Sequence, residues 1–240
     1  MDGTHINCNP SASERQLVWN WKGGVTQNCL ACCSFDLQFQ YILSGWDGCS
    51  SDATMFNDAH QSDLVIPPGK CYLADAGFGM CDALFIHTER SNTTLQNGAV
   101  QLWGMFMFLI TKRCWYTHRP SNAKELYNLW HTSTRNIIEQ IFGILKHCFW
   151  ILTIPPESSM AVQACIPPAL CAIHNFIQIH DPDEIHDFEI HDEHVDIEPY
   201  GELAPGPAGQ QEIARGTARW DIIAQSMWES YQLELQMCGL

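Results

Sequence analysis

Two apolar runs separated by only three residues constrain the fold of this chain more than any other feature. Residues 25–35 (VTQNCLACCSF) and 39–45 (FQYILSG) both have the character of strands, and Asp36-Leu37-Gln38 leaves room only for a tight turn. This pattern predicts a β-hairpin. Residues 3–8 and 70–75 read as the end of an earlier strand and as a later strand.

The clearest helix is predicted over residues 121–150, with Ser121 as its N-cap. Apolar residues recur there at helical spacing and form one face: Leu126, Leu129, Trp130, Ile137, Ile138, Ile141, Phe142 and Leu145. A short helix is expected at residues 52–60, and another after Pro155-Pro156-Glu157, bent at Pro167-Pro168. The order of strand, strand, strand, helix, strand and then helices predicts an α/β fold with a mixed sheet.

Charge divides the chain into unequal parts. The net charge is −15, but residues 1–180 hold 13 acids and 10 bases, whereas residues 181–202 hold 10 acids and no Lys or Arg. A nearly neutral body with an acidic extension argues against a simple nucleic-acid binder. We therefore expect residues 1–180 to form the domain and residues 181–216 to form a disordered, Pro/Gly-containing linker.

Residues 217–240 are predicted to form a C-terminal amphipathic helix that either caps the body or binds a partner. Its apolar positions recur at three- and four-residue steps: Trp220, Ile223, Ala224, Met227, Trp228 and Tyr231. No apolar run is expected to reach the length of a membrane span, and residues 105–110 are far too short. An intracellular location without membrane contact is the expectation.

Cysteine and histidine are abundant but do not form a convincing metal motif. Cys29 and Cys32 make a lone C-x-x-C inside a strand-like run, which favours buried core thiols over zinc ligands. In the acidic extension, imidazoles alternate with acids without sharing a helical face, so we expect weak metal affinity at most. These histidines are His180, His186, His191 and His194.

Four carboxylates occupy positions where a catalytic site can form. Asp2 precedes Gly3 at a strand, Asp52 opens the short helix, Asp75 ends a strand, and Glu139 lies in the long helix. Mg²⁺ prefers carboxylate oxygens, and two such ions can activate water and stabilise a leaving oxygen in phosphodiester cleavage. Three of these acids also have a plainer interpretation: Asp52 as a helix cap or first-turn acid, Asp75 as a turn residue, and Glu139 as a surface ion-pair partner of Arg135.

Several ordered segments resemble PIF/Harbinger transposases and the nucleases derived from them. The segments run along most of residues 2–180: DGTHI (2–6), KGGVTQN (22–28), FDLQFQYILSGWDGCSSDATMFNDA (35–59), YLADAGF (72–78), KELYNLWHTSTRNIIEQIFGILKHCFWIL (124–152) and PALCAIHNF (168–176). Each segment is weak alone, and their order makes the set specific.

The resemblance implies a ribonuclease H-like mixed sheet flanked by helices, with Asp2, Asp75 and Glu139 as a catalytic, metal-binding triad. Asp52 is then a fourth metal-binding acid, although motif spacing alone also permits it as the second triad member. The implied cofactors are two divalent ions, Mg²⁺ or Mn²⁺. Related bacterial transposases carry R-x-x-x-E-x-x-x-x-x-x-K on this helix, which Arg135, Glu139 and Lys146 satisfy; the two cations would contact DNA phosphate or support the site.

The same resemblance implies a nuclear enzyme that hydrolyses DNA at transposon ends, joins the 3′-OH to target DNA and works with a separate Myb-like DNA-binding protein. Two departures favour an alternative. Relative to the family, the chain is expected to be N-terminally truncated, and residues 91–118 do not resemble the corresponding family segment. The alternative is a non-catalytic, transposase-derived nuclear protein that acts through protein–protein contacts.

Overall fold

The first three strands of the chain form an antiparallel sheet. The computed structural model describes residues 1–15, 18–20, 23–86, 120–181 and 209–237. Strands β1 (Asp2–Asn7), β2 (Thr26–Cys33) and β3 (Phe39–Asp47) lie in that order, with Asp2 opposite Ala31. The predicted hairpin between β2 and β3 is confirmed, and Leu37 completes its turn with a positive φ of 56°.

A smaller parallel sheet lies beside the start of β1. It consists of β4 (Tyr72–Ala74) and β5 (Leu84–Ile86), with a 3-10 turn at Ala76–Phe78 between them. The backbone nitrogen of Met1 donates to the Leu73 carbonyl oxygen at 2.7 Å, so the first residues of β1 adjoin β4. Strand β5 was not predicted, because three apolar residues are too short a run to show a period.

Four α-helices complete the described part: α1 (Asp52–Ser62), α2 (Ala123–Cys148), α3 (Met160–His180) and α4 (Gln210–Met237). The prediction of Ser121 as the N-cap of α2 is wrong, because Asn122 accepts the Glu125 N–H instead. Ser121 donates its N–H and its hydroxyl to the Glu125 carboxylate at 2.8 and 2.6 Å. Helix α4 begins seven residues before the predicted position 217, so residues 210–216 are helical and not linker.

Strand β2 separates two hydrophobic clusters, because its successive side chains point to opposite faces. Leu30 and Cys32 pack with α1, β4 and β5, whereas Cys29 and Ala31 pack with the apolar face of α2. Cys29 and Cys32 are therefore completely buried on different faces and cannot share a metal ion. Burial raises the pKa of each thiol to about 12, which confirms their interpretation as core thiols.

Helix α3 is both apolar and attached to the sheet by polar side chains. By length and composition alone this 21-residue helix, which holds an 18-residue window with a mean hydropathy of 1.4, is long and apolar enough to cross a membrane, so the expectation that no run reaches that length is wrong. Asn175 exchanges two hydrogen bonds with the Phe39 backbone, and His174 bonds the Leu37 carbonyl at 2.9 Å. The helix continues through Pro167 and Pro168.

Helix α4 packs against α2 and β5. Trp220 is 3% exposed, and its ring meets the Tyr127 ring edge-to-face at 5.1 Å between centroids. Arg215 pairs with Asp82 at 2.7 Å, and Arg219 donates to the Gly69 carbonyl at 2.9 Å. The C-terminal helix was expected either to cap the body or to bind a partner, and in the structure it caps the body. Three parts of the chain lie outside the described residues: the histidines His186, His191 and His194, most of the linker, and segment 91–118.

Candidate active site

Asp2 is the first residue of β1, where that strand adjoins β4. Its Oδ1 accepts the backbone N–H of Gly3 at 2.9 Å, which holds the carboxyl group close to the strand. The side chain is 15% exposed and its Oδ2 points towards α2. Asp2 therefore lies at one end of the sheet, partly shielded from solvent.

Asp75 follows the last residue of β4 and caps the 3-10 turn. Its Oδ1 accepts the Ala76 N–H at 2.6 Å, so the turn holds the carboxyl group in place. The expectation that Asp75 lies at the end of a strand and the plainer expectation that it shapes a turn are both confirmed. The remaining oxygen, Oδ2, faces the same side chain of α2 as Asp2 does.

Arg135 brings the three predicted triad acids to one place. Its Nη1 lies 3.3 Å from Asp2 Oδ2 and 3.8 Å from Asp75 Oδ2, and its Nη2 lies 2.7 Å from Glu139 Oε1. Arg135 and Glu139 are four residues apart on α2, so both side chains project from one face of the helix. The pair is more than an isolated surface ion pair, because the same guanidinium also binds acids from two other elements.

Burial and the neighbouring cations act in opposite directions on the pKa of the Asp2 carboxyl group. Burial raises the pKa of its carboxyl group, the Arg135 cation lowers it, and the charges of Asp75 and Glu139 raise it further. Adjacent carboxylates repel one another, and a central cation offsets that repulsion. Arg135 and the N-terminal ammonium group of Met1 are therefore the two cations that lower the pKa of Asp2, and Arg135 has the larger effect.

Asp52 lies beside Gly3, on the face of β1 opposite to the one from which Thr4 meets α2. Ser51 is the N-cap of α1 and Asp52 is its first residue, so Asp52 is a first-turn acid and not the cap. A Cβ added to Gly3 would overlap the Asp52 carboxylate oxygen Oδ1. Glycine at position 3 is what lets this fourth acid approach the strand that carries Asp2.

Lys146 lies two turns beyond Glu139 on α2 and faces β1. Its Nζ donates to Thr4 Oγ1 at 2.8 Å, and burial lowers the pKa of its ammonium group. Of the two roles expected for Lys146, this position suits support of the site better than contact with DNA phosphate. Thr4 and Gly3 were not singled out from the sequence, although both belong to the DGTHI segment that carries Asp2.

Carboxylate oxygens are the donors that Mg²⁺ and Mn²⁺ prefer, so the chemistry of the four acids fits a hard divalent cation. Their arrangement is that of an ion-paired cluster. Within the part of the chain that the structure describes, no group of three or more His, Cys, Asp or Glu side chains is placed to hold a metal ion. Instead, the carboxylates of Asp2, Asp75 and Glu139 each direct an oxygen at Arg135.

Comparison with known families found a match over most of the chain. The family model described as DDE superfamily endonuclease matches residues 1–175. The matched region includes all four acids and ends inside α3, so α4 lies beyond it. No curated protein and no solved structure matches the chain significantly.

Proposed function

Because this chain belongs to the DDE superfamily endonuclease family, we propose that it is a divalent-metal-dependent DNA endonuclease of the transposase type. Within that family we assign it to the PIF/Harbinger kind, on the ordered sequence segments described above. The proposed metal ligands and catalytic residues are Asp2, Asp75 and Glu139, with Asp52 as a fourth metal-binding acid.

The observation that carries this proposal is the convergence of three acids from separate elements on one guanidinium. Asp2 comes from β1, Asp75 from the end of β4, and Glu139 from α2, yet all three contact Arg135 within 3.8 Å. Residues that are 133 positions apart in sequence, such as Asp2 and Arg135, meet only because the fold brings them together. Sites that bind metal for phosphodiester cleavage need ligands supplied in this way.

The arrangement of strands supports a ribonuclease H-like fold. Strands β3, β2 and β1 are antiparallel neighbours, the Met1 nitrogen bonds the β4 residue Leu73, and β4 pairs in parallel with β5. The two sheets therefore adjoin where Met1 meets Leu73, with β1 at the edge of one sheet and β4 at the edge of the other. Helices α1 and α2 pack against opposite faces of β2, and the acids gather where β1 meets β4.

In the proposed mechanism, each part of the chain holds one acid in a set position. The Gly3 and Ala76 amides orient Asp2 and Asp75, and Lys146 binds Thr4 so that α2 keeps its register along β1. When bound, two divalent ions would supply an activated water and stabilise the leaving 3′ oxygen. Arg135 pairs with all three carboxylates and lowers the pKa of Asp2, against the effect of burial.

The proposed substrate is DNA, in keeping with the family, and the proposed location is the nucleus. A net charge of −15 gives the chain little unaided attraction to a phosphate backbone. We therefore propose a separate, basic DNA-binding partner of the Myb-like kind, which would supply the missing positive charge. The transposon ends would then be brought to the acids by the partner.

The alternative is a non-catalytic protein that keeps the fold. It is favoured by one observation, namely that Arg135 already pairs with all three acids in an ion-paired cluster. The partner surface first expected for that role, the apolar face of α4, is turned inward: Trp220, Ala224 and Tyr231 are each less than 5% exposed. The two candidates differ in whether the acids bind metal.

A thermal melt with and without millimolar Mn²⁺ distinguishes them. A metal that binds only the folded state stabilises it, by about 2.7 kcal/mol at a hundredfold excess over Kd. We expect Mn²⁺ to raise the Tm of the parent and of Asp58→Asn, an exposed control on α1, but not of Asp75→Asn. Plasmid nicking by the parent and not by Asp75→Asn would complete the case, whereas a parent without metal response would leave the non-catalytic alternative.

A further inference from the structure

Arg135 contacts the particular oxygen atoms that a metal would need. The Oδ1 atoms of Asp2 and Asp75 already accept the backbone N–H groups of Gly3 and Ala76. Their Oδ2 atoms face Arg135 Nη1, at 3.3 and 3.8 Å. The oxygens that local backbone does not use are therefore the ones that the guanidinium binds.

Glu139 completes this arrangement from the other side of the guanidinium. Its Oε1 lies 2.7 Å from Arg135 Nη2, while Nη1 serves the two aspartates. A guanidinium presents its donors in a planar fork, which allows one side chain to bridge several carboxylates. The Arg135 side chain is only 17% exposed, so it fills the space between the three acids and does not lie over them in solvent.

A divalent cation and a guanidinium cannot both occupy that space. Metal–oxygen bonds to Mg²⁺ are about 2.1 Å long, so a metal must lie among the same oxygens. Two cations among the same carboxylate oxygens would also repel each other.

We propose that Arg135 is an internal counter-cation that a divalent metal must displace, so that Arg135 sets the metal affinity of the site. In the metal-free protein the guanidinium keeps the three carboxylates together and offsets their repulsion. On metal binding it leaves the Oδ2 atoms of Asp2 and Asp75 and the Oε1 atom of Glu139. This inference rests on the proposed function, because it assumes that the same acids bind metal.

Two roles for Arg135, as an orienting group or as a competitor of metal, predict opposite changes in metal affinity when the arginine is removed. If the arginine served only to orient the acids for metal, its removal would weaken metal binding. If it competes with metal, its removal strengthens binding while it destabilises the metal-free protein. A measurement of both quantities therefore separates the two roles.

The first experiment is a calorimetric Mn²⁺ titration of the whole chain, its Arg135→Gln variant and its Arg215→Gln variant. Arg215 is the matched control, since it also pairs with a carboxylate, Asp82, but on the exposed surface. We expect Arg135→Gln to lower the Kd for Mn²⁺ about tenfold, because one competing charge is gone, and to lower the Tm without metal. The Arg215→Gln variant should bind Mn²⁺ as the parent does.

The second experiment needs no variant, so it holds even where Arg135→Gln does not fold. Phenylglyoxal modifies accessible guanidinium groups, and mass spectrometry quantifies the adduct at each arginine. We expect Arg135 in the parent to be protected without metal and to become modified several times faster at saturating Mn²⁺. The labelling of Arg215, which is exposed in the described structure, should not change.

The outcomes separate this inference from the function on which it rests. If the parent binds Mn²⁺ but Arg135→Gln binds no more tightly, or if Arg135 labelling does not rise with metal, the counter-cation role is wrong and the proposed function stands. If neither the parent nor Arg135→Gln binds Mn²⁺, the proposed function is wrong as well.

Discussion

Lys146 Nζ donates to Thr4 Oγ1 at 2.8 Å, which links α2 to β1 behind the acidic cluster. The two residues are 142 positions apart in the chain, and the ammonium group is largely removed from solvent. A buried charge that loses its partner is costly, whereas the loss of both partners together is much less so. We therefore expect the largest loss of stability when only one of the two partners is removed.

Thr4→Val should lower the free energy of unfolding by about 1–3 kcal/mol, because it leaves the Lys146 ammonium without its hydroxyl acceptor. In a Lys146→Met background the same change should cost less than about 0.5 kcal/mol, since the charge is already gone. Urea denaturation of the four proteins in this cycle measures the difference. Equal costs of Thr4→Val in both backgrounds would show that the bond contributes nothing.

Gly3→Ala should disturb the site through Asp52 and not through the strand itself. The added Cβ would overlap Asp52 Oδ1, so either α1 or the carboxylate must move. We expect a loss of about 1–3 kcal/mol in stability, as for other overpacked sites, and a higher Kd for Mn²⁺. Gly77→Ala is the matched control, because a Cβ there meets nothing within 4 Å; Asp52→Ala in the Gly3→Ala protein should restore most of the stability.

Trp220→Ala should cost about 3–5 kcal/mol, the range for large aromatic residues removed from a core. Its ring packs on Tyr127 and anchors α4, which begins beyond the matched family region. The control is Trp150→Ala, since Trp150 is 74% exposed and should contribute less than about 0.5 kcal/mol. Comparable Tm values for the two variants would mean that α4 is not an integral part of the domain.

The fold should become less stable as the pH falls below the pKa that His174 has in the unfolded chain. Burial lowers the pKa of its imidazole below 6.5, against a smaller opposing effect of the hydrogen bond to Leu37. The unfolded chain therefore takes up a proton first, so stability is lost as the pH falls from about 6.5 through the folded pKa. Tm values at pH 7.5 and 5.0 should fall further for the parent than for His174→Gln; equal decreases would contradict the prediction.

The local elements were largely predictable because each depends on a short stretch of sequence. The hairpin at 36–38, the apolar face of α2 and the position of Asp75 after β4 all follow from periodicity and turn chemistry. The site was predictable only as a set of acids. The positions of Asp2, Asp52, Asp75 and Glu139 in the chain made them candidates, and the family resemblance implied which three form the triad. Helical spacing placed Arg135 beside Glu139 but not beside the two aspartates, because those contacts depend on tertiary packing.

The remaining differences have physical reasons of the same kind. Ser121 and Asn122 are both good capping residues, and only the backbone direction decides which one accepts the Glu125 N–H. Strand β5 is three residues long and is held by β4, Arg219 and α4, none of which its own sequence reveals. Lys146 has the appearance of a surface cation in a helical stripe, and only the position of β1 shows that its ammonium group is covered.

The position of β2 between two hydrophobic clusters affects how the domain unfolds. Alternate side chains of this one strand complete both hydrophobic clusters, and Ala31 on it lies opposite Asp2. A cluster that opens on one face of β2 therefore exposes the strand that also supports the other cluster, which couples the sheet, α1 and α2. Opening of the acidic site wide enough to expose β2 then weakens both clusters, so smaller local motions near the acids are those that leave this strand covered.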